Sequence, residues 1–232
     1  MKSDYDYKNI FNLNNKNIIV IGAANGIGNE ACKAIAAHGA NLICSDIDIE
    51  KIKVLSDDLS NKYKNSNIKY QKVDILNRNE IEKLVNKFDK LDGIVCTPSI
   101  NVRKLIVDYT EKDFDKVINL NLKGTFNIIQ IASTKMIKNL QGSIIAFSSI
   151  RGTVVEPGQS VYAASKAGTE KLINTLASEI GKYNVRANTI SPGPVMTQLT
   201  QQLRDDKNWN DAYKSKPALK RWAHPNELVG GI

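Results

Sequence analysis

The chain has 232 residues, 42% of them hydrophobic and 24% charged, which is enough for one sizeable core and too apolar for a disordered chain. No apolar run approaches the roughly 20 residues that span a bilayer, and polar residues 1–17 carry no apolar signal core, so a cytoplasmic protein off the membrane is expected. The net charge of +8 comes from dispersed Lys and Arg, with no dense basic block interleaved with aromatics, which argues against nucleic acid and suits an anionic small molecule. Cys32, Cys44 and Cys96 sit in apolar segments without paired spacing and read as reduced core residues. His38 and His224 lack ligand companions, so no metal site is expected.

Asn17–Ile21 (NIIVI) is a β-branched apolar run of the kind buried in parallel sheets. It leads into Gly22-Ala23-Ala24-Asn25-Gly26-Ile27-Gly28 and then a helical pattern over 29–38, closed by Gly39. A strand, a glycine-rich turn and a helix in that order form the context of a dinucleotide site: the glycines allow the turn, the approach of a pyrophosphate and close helix–strand packing. Strand two (41–45) ends at Asp46, an acid placed to accept from adenosine ribose hydroxyls and to repel a 2′-phosphate, which favours NAD(H) over NADP(H). Its neighbours Ile47 and Asp48 offer no cation to that phosphate.

Helical and strand patterns then alternate: helix 50–63, strand 68–73 ending at Asp74, helix 79–88 and strand 91–96, which Pro98 breaks. A long helical region, 113–138, is interrupted around Gly124; strand 143–147 ends in Ser148-Ser149; helix 161–182 and strand Val185–Ile190 follow, the latter ending in Ser191-Pro192-Gly193. This alternation predicts an α/β fold, a single doubly wound parallel sheet with helices on both faces. Residues 1–232 read as one catalytic domain, with the polar, aromatic-dotted stretch 197–222 as a lid that includes Trp209, a candidate substrate contact.

Tyr162 and Lys166 are four residues apart, so on a helix they share a face. A phenol is a poor acid or base at neutral pH, and a neighbouring ammonium is expected to pull its pKa down.

The ordered set Gly22-xxx-Gly26-x-Gly28, Asp46, Asp74, Asn121, Ser149, Tyr162-xxx-Lys166 and Pro192-Gly193 resembles the short-chain dehydrogenase/reductase family over nearly the whole chain. The resemblance implies a catalytic set of Asn121, Ser149, Tyr162 and Lys166. Tyr162 would exchange a proton with the substrate oxygen, Lys166 would hold the nicotinamide ribose, Ser149 would donate to the substrate oxygen, and Asn121 would hold a water leading from Lys166 to solvent. It implies cofactor contacts by Gly22, Asn25, Gly26, Ile27, Gly28, Asp46, Asp74, Ile75, Tyr162, Lys166, Pro192, Gly193, Val195 and Thr197. It also implies a homodimer or homotetramer paired through the long helices.

The stretch Ser148-Ser149-Ile150-Arg151-Gly152 with Glu156-Pro157-Gly158-Gln159 resembles members that act on sugars, sugar acids or polyols, and Arg103 and Arg151 are candidate binders of a substrate carboxylate. A 3-oxoacyl carrier-protein reductase and a truncated nucleotide-binding protein without turnover are the alternatives. Three departures from the family pattern stand out: Ile21 where Thr is usual, Cys96-Thr97-Pro98-Ser99 where Asn-Asn-Ala-Gly is usual, and no seventh strand before Ile232. The last is expected to leave a sheet edge open.

Overall fold

The structure, a computed structural model, describes residues 9–232; the first eight residues of the polar 1–17 stretch lie outside them. Strands β1 (Asn17–Ile21), β2 (Asn41–Asp46), β3 (Ile68–Lys72), β4 (Gly93–Cys96), β5 (Gly142–Phe147) and β6 (Val185–Ile190) form one parallel sheet in the order β3-β2-β1-β4-β5-β6. Helices α1 (Gly26–Ala37), α2 (Ile49–Lys62), α3 (Arg78–Val85), α4 (Glu111–Ile118), α5 (Thr125–Lys138), α6 (Ser160–Ile180), α7 (Gln201–Asp205) and α8 (Lys207–Ser215) complete it.

Successive strand residues face opposite sides of the sheet. Ile19, Ile21, Ile43, Ile94 and Ile144 meet residues of α3, α5 and α6 in one core, whereas Ile18, Val20, Leu42, Val95 and Phe147 meet α1 and α2 in the other. Both faces are therefore covered, as the β-branched runs require. The three cysteines are free and buried within these cores. The order reverses between β1 and β4, and that switch point is where such sheets bind ligands. Among the described residues, β6 has a strand neighbour on one side only, and the turn Pro225–Gly231 packs back on α1 with Leu228 in its core. No helix among the described residues is long and apolar enough to cross a membrane.

Several boundaries differ from the sequence reading. Helix α1 begins inside the glycine motif, at Gly26, ahead of the start at residue 29 that the helical pattern suggests. Helix α4 begins at Glu111, where a reciprocal capping box between Thr110 and Asp113 satisfies the free N–H groups. The interruption expected near Gly124 is a full π-helical turn, Asn119–Gly124, between α4 and α5. Wide turns of this kind are frequent at functional sites.

Candidate active site

The strand C-termini open onto a cleft of about 490 Å³. After β1 the chain turns at Gly22, whose φ of +90° is left-handed and suits glycine. Gly22 and Ala23 donate N–H bonds to the Ser45 carbonyl at 2.8 and 3.0 Å, and Ala24 donates to Asp46 Oδ2 at 3.0 Å. The end of β2 thus holds the turn. Gly28 is required by contact: a Cβ there would lie 2.0 Å from the Gly22 carbonyl oxygen.

The N-cap of α1, Asn25, makes no side-chain cap bond, and no acid occupies the first turn. By contrast, α2, α4 and α8 are capped by side-chain oxygens of Asp48, Thr110 and Asp206. The N–H groups opening α1 remain available, with the positive end of the helix behind them, for an anionic group.

The departures at positions 21 and 97 meet at one turn. Ile21 is buried, and Thr97 Oγ1 reaches the carbonyls of Ile21 (3.0 Å) and Gly22 (3.2 Å), so its hydroxyl pins the turn from β4. The glycine turn is thus held from both β2 and β4.

Every cofactor position read from the sequence lines this cleft: Gly22, Asn25, Gly26, Ile27 and Gly28 in the turn, Asp46 ending β2, Asp74 and Ile75 after β3, Tyr162 and Lys166 on α6, and Pro192, Gly193, Val195 and Thr197 after β6. Ser149 joins them, as does Ser99, which sequence reasoning did not single out. Asn121 is buried behind the lining. Its side chain accepts from Ile100 N–H (2.9 Å) and donates to Ile100 O (2.9 Å) and Ser165 Oγ (3.1 Å). Ser165 Oγ donates on to the Tyr162 carbonyl at 2.7 Å, so the π turn braces both the Ser99 segment and α6.

Lys166 Nζ donates to the Phe147 carbonyl at 2.8 Å, its one hydrogen bond among the described residues. Its other N–H groups are unspent in a side chain that is 3% exposed and lines the cleft. Burial pulls the ammonium down from 10.5 to about 8. A dinucleotide fits these features: free helix N–H groups at one end, a buried amine with unspent donors at the other, and glycines admitting close approach between them.

The expected lowering of the Tyr162 pKa does not hold in this structure. Burial raises it, opposed by the hydroxyls of Ser149 and Ser99 and by the charges of Arg103 and Arg151. Lys166 does share the face, but its Nζ sits 5.7 Å from the Tyr162 ring centroid and is directed at Phe147. Ser99 Oγ is buried and unbonded, close enough to favour the tyrosinate without bonding to it.

The three proposed substrate residues lie outside the lining. Trp209 is 48% exposed, and its ring lies against Tyr213, centroids 6.2 Å apart. Arg151 Nη2 pairs with Glu156 Oε1 at 3.0 Å, both side chains being largely buried, so its charge is spent within the protein. Arg103 is exposed, and among the described residues it makes no ion pair.

A phenol, a buried amine and a serine hydroxyl facing a dinucleotide-shaped cleft at the switch point of a doubly wound sheet describe a nicotinamide-dependent oxidoreductase acting on alcohol and keto groups. The chain belongs to the short-chain dehydrogenase family, whose pattern, described as short chain dehydrogenase, matches residues 16–208. It is similar to the 3-oxoacyl-(acyl-carrier-protein) reductase of Thermotoga maritima, 34% identical over 224 residues, with 94% of this chain and 88% of the relative covered. The reductase of the same name from Rickettsia bellii is 33% identical, with 96% and 90% covered. Among solved structures, a putative gluconate dehydrogenase from Agrobacterium tumefaciens superposes with a TM-score of 0.91 at 26% identity, covering 96% of this chain and 88% of that one.

Proposed function

We propose that the chain transfers hydride between NAD(H) and a secondary alcohol or ketone carried on an oxygen-rich substrate, a sugar, sugar acid or polyol. The bound cofactor would supply the hydride chemistry, and the chain's residues would orient the substrate and move the proton. Tyr162 Oη would donate a proton to the carbonyl oxygen in reduction and accept it in oxidation. Ser149 Oγ, 9% exposed beside it, would steady the oxygen as charge develops. Gly22, Asn25, Gly26, Ile27 and Gly28 would hold the pyrophosphate side, Asp46 the adenosine ribose, Asp74 and Ile75 the adenine, and Lys166 the nicotinamide ribose. Pro192, Gly193, Val195 and Thr197 would border the nicotinamide. Residues 197–222 would act as a lid on the one catalytic unit, and two or four copies would assemble through α4, α5 and α6, with Phe114 and Phe126 exposed on the first two.

The observation that carries the oxygen-rich substrate is unspent polarity at the mouth. Ser99 Oγ and Asn101 Oδ1 are buried without partners, and Arg103 keeps an uncompensated charge that acts on Tyr162. A chain of hydroxyls ending in a carboxylate would satisfy all three. Arg103→Met is expected to raise KM for a carboxylate-bearing substrate about five-fold while leaving a neutral polyol unaffected, since a single exposed charge contact is worth about 1 kcal/mol. Equal effects on acid and neutral substrates would remove the carboxylate from the proposal.

The NAD preference rests on Asp46, whose oxygens accept from Ala24 N–H and from Asp48 N–H (3.1 Å), fixing a negative charge at the cleft edge. The cation one turn on, Lys51, is held by Asp48 at 2.9 Å. Asp46→Asn keeps an acceptor for the turn and removes the charge. It should strengthen NADPH binding about ten-fold relative to NADH in fluorescence titrations. Wild-type protein that binds both equally would refute the selector role.

A second reading, reduction of 3-oxoacyl thioesters, is favoured by the curated relatives at 33–34% identity and by exposed Leu105, Ile106 and Val107 following the Ser99 segment. Turnover of a 3-oxoacyl thioester together with inert sugar acids and polyols would select it.

A further inference from the structure

We propose that Glu156 is a positioning residue that latches α8 onto the loop preceding the Tyr162 helix, and so sets the shape of the substrate mouth. Its carboxylate is 9% exposed and gathers four donors. Arg151 and Gln159 Nε2 reach it from its own loop, and Tyr213 Oη and Lys216 Nζ reach it from α8 and the residue after it. Tyr213 anchors what the latch holds. Its ring stacks on Trp222 with centroids 5.3 Å apart and planes 6° from parallel, and the cations of Lys216 and Arg151 lie 4.6 and 5.9 Å from its centre.

Polar contacts matter here because the segment has little else. Leu203, Tyr213 and Trp222, with Met196, form a small apolar cluster of their own, separate from the two cores that flank the sheet. The segment is rooted after β6 by the bridge between Val195 and Ala223. On the mouth side, its attachment runs through Glu156, with one bond beside it from Gln159 Nε2 to Tyr213 Oη at 3.1 Å. Removing that carboxylate would leave two cations crowded on Tyr213 with no counter-charge, so the closed arrangement would open.

The latch also reaches the substrate side. Gln159 Oε1 accepts from Asn101 Nδ2 at 3.0 Å, and Gly158 O accepts from Lys104 N–H at 3.2 Å. The segment bearing Ser99, Asn101 and Arg103 is therefore tied to the same loop. Glu156 positions both walls of the mouth and, by neutralising Arg151, leaves Arg103 as the charge presented to substrate. That this mouth admits substrate rests on the oxidoreductase reading; that Glu156 latches α8 does not.

The test uses the two tryptophans, Trp209 and Trp222, both of which lie in the latched segment. In Glu156→Ala, tryptophan emission should shift to the red and proteolysis within residues 201–216 should accelerate about ten-fold, as expected for a locally opened element. NADH affinity should stay within about two-fold, because neither Glu156 nor any residue of α8 lines the cleft, whereas KM for substrate should rise about ten-fold with kcat within about three-fold. Glu156→Gln keeps an acceptor for Tyr213 but loses both ion pairs, and should fall between. A folded Glu156→Ala protein with unchanged emission and proteolysis overturns the latch, as does loss of NADH affinity in parallel with KM. If Glu156→Ala does not fold, Lys216→Met and Tyr213→Phe must each move the same readouts in the same direction, and a lack of movement overturns the latch. Wild-type protein that fails to bind NADH defeats the functional reading and leaves the emission and proteolysis results to judge Glu156.

Discussion

Tyr162→Phe is expected to cut turnover about 10³-fold while changing NADH affinity by roughly three-fold or less, since proton transfer by a positioned side chain contributes 10²–10⁴-fold. The phenol oxygen is the one titratable group in the cleft flanked by Ser149 and Ser99 and within the field of two arginines. Its surroundings also set the direction of the pH dependence. Burial raises the Tyr162 pKa, so the free protein near neutrality holds the phenol protonated and ready to act as an acid. Reduction of a ketone should be nearly flat with pH near neutrality, and oxidation of the alcohol should climb as pH rises, because only then is the phenol relieved of its proton. A Phe variant that retains more than a tenth of wild-type turnover would assign the proton transfer to another group, and Ser99 would be the first to examine.

Lys166→Met should abolish turnover and stabilise the fold at the same time. The ammonium is buried, has one protein hydrogen bond, and is pulled from 10.5 to about 8, so holding its charge at pH 7 costs about 3 kcal/mol. Methionine fills a similar volume and gives up the bond to Phe147 O, worth about 1 kcal/mol. The net gain is about 2 kcal/mol at pH 7, or roughly 4–8 °C in Tm for a chain of this size. The sign follows from proton binding. Between pH 8 and 10.5 the unfolded state holds the Lys166 proton and the folded state has released it, so wild-type stability rises with pH in that window. The stability advantage of Lys166→Met should therefore be full below pH 8 and gone above 10.5. Urea unfolding of both proteins at pH 7 and at pH 10 reads this directly, and a destabilised Met variant at pH 7 would mean that the amine is satisfied by contacts other than Phe147. A group whose charge costs stability and whose removal costs turnover is kept for function.

Much of the site could be read along the chain because its logic is local. A buried parallel strand needs a continuous apolar run, a phosphate turn needs glycines at set spacings, and a helix brings residues four apart onto one face; β1, the Gly22–Gly28 turn and the Tyr162–Lys166 pair follow from those rules alone. Strand C-termini in a doubly wound sheet share one rim, so Asp46, Asp74, Ser149 and Pro192 could be expected near one another once the alternation of strand and helix was recognised, and all four line the cleft.

What depended on side chains far apart in sequence could be decided only by tertiary packing. Arg151 looked free to bind a carboxylate, but Glu156 holds it, and Glu156 in turn is reached by Lys216, sixty residues away. Trp209 lies in an aromatic-dotted segment, yet the ring that faces inward is Tyr213, stacked on Trp222. Thr97 reaches the carbonyls of Ile21 and Gly22 through its hydroxyl, a contact across seventy-five residues that neither position indicates by itself. The Tyr162 pKa moved opposite to expectation because helical spacing tells which groups share a face, whereas burial and the bond from Lys166 to Phe147 decide where the charge is felt. Sequence periodicity thus determined the fold class and the rim, and the family resemblance supplied the candidate reactive groups. Solvent exclusion and long-range pairing, which have no periodicity, decided which charges are spent inside the protein and which are left to meet a substrate.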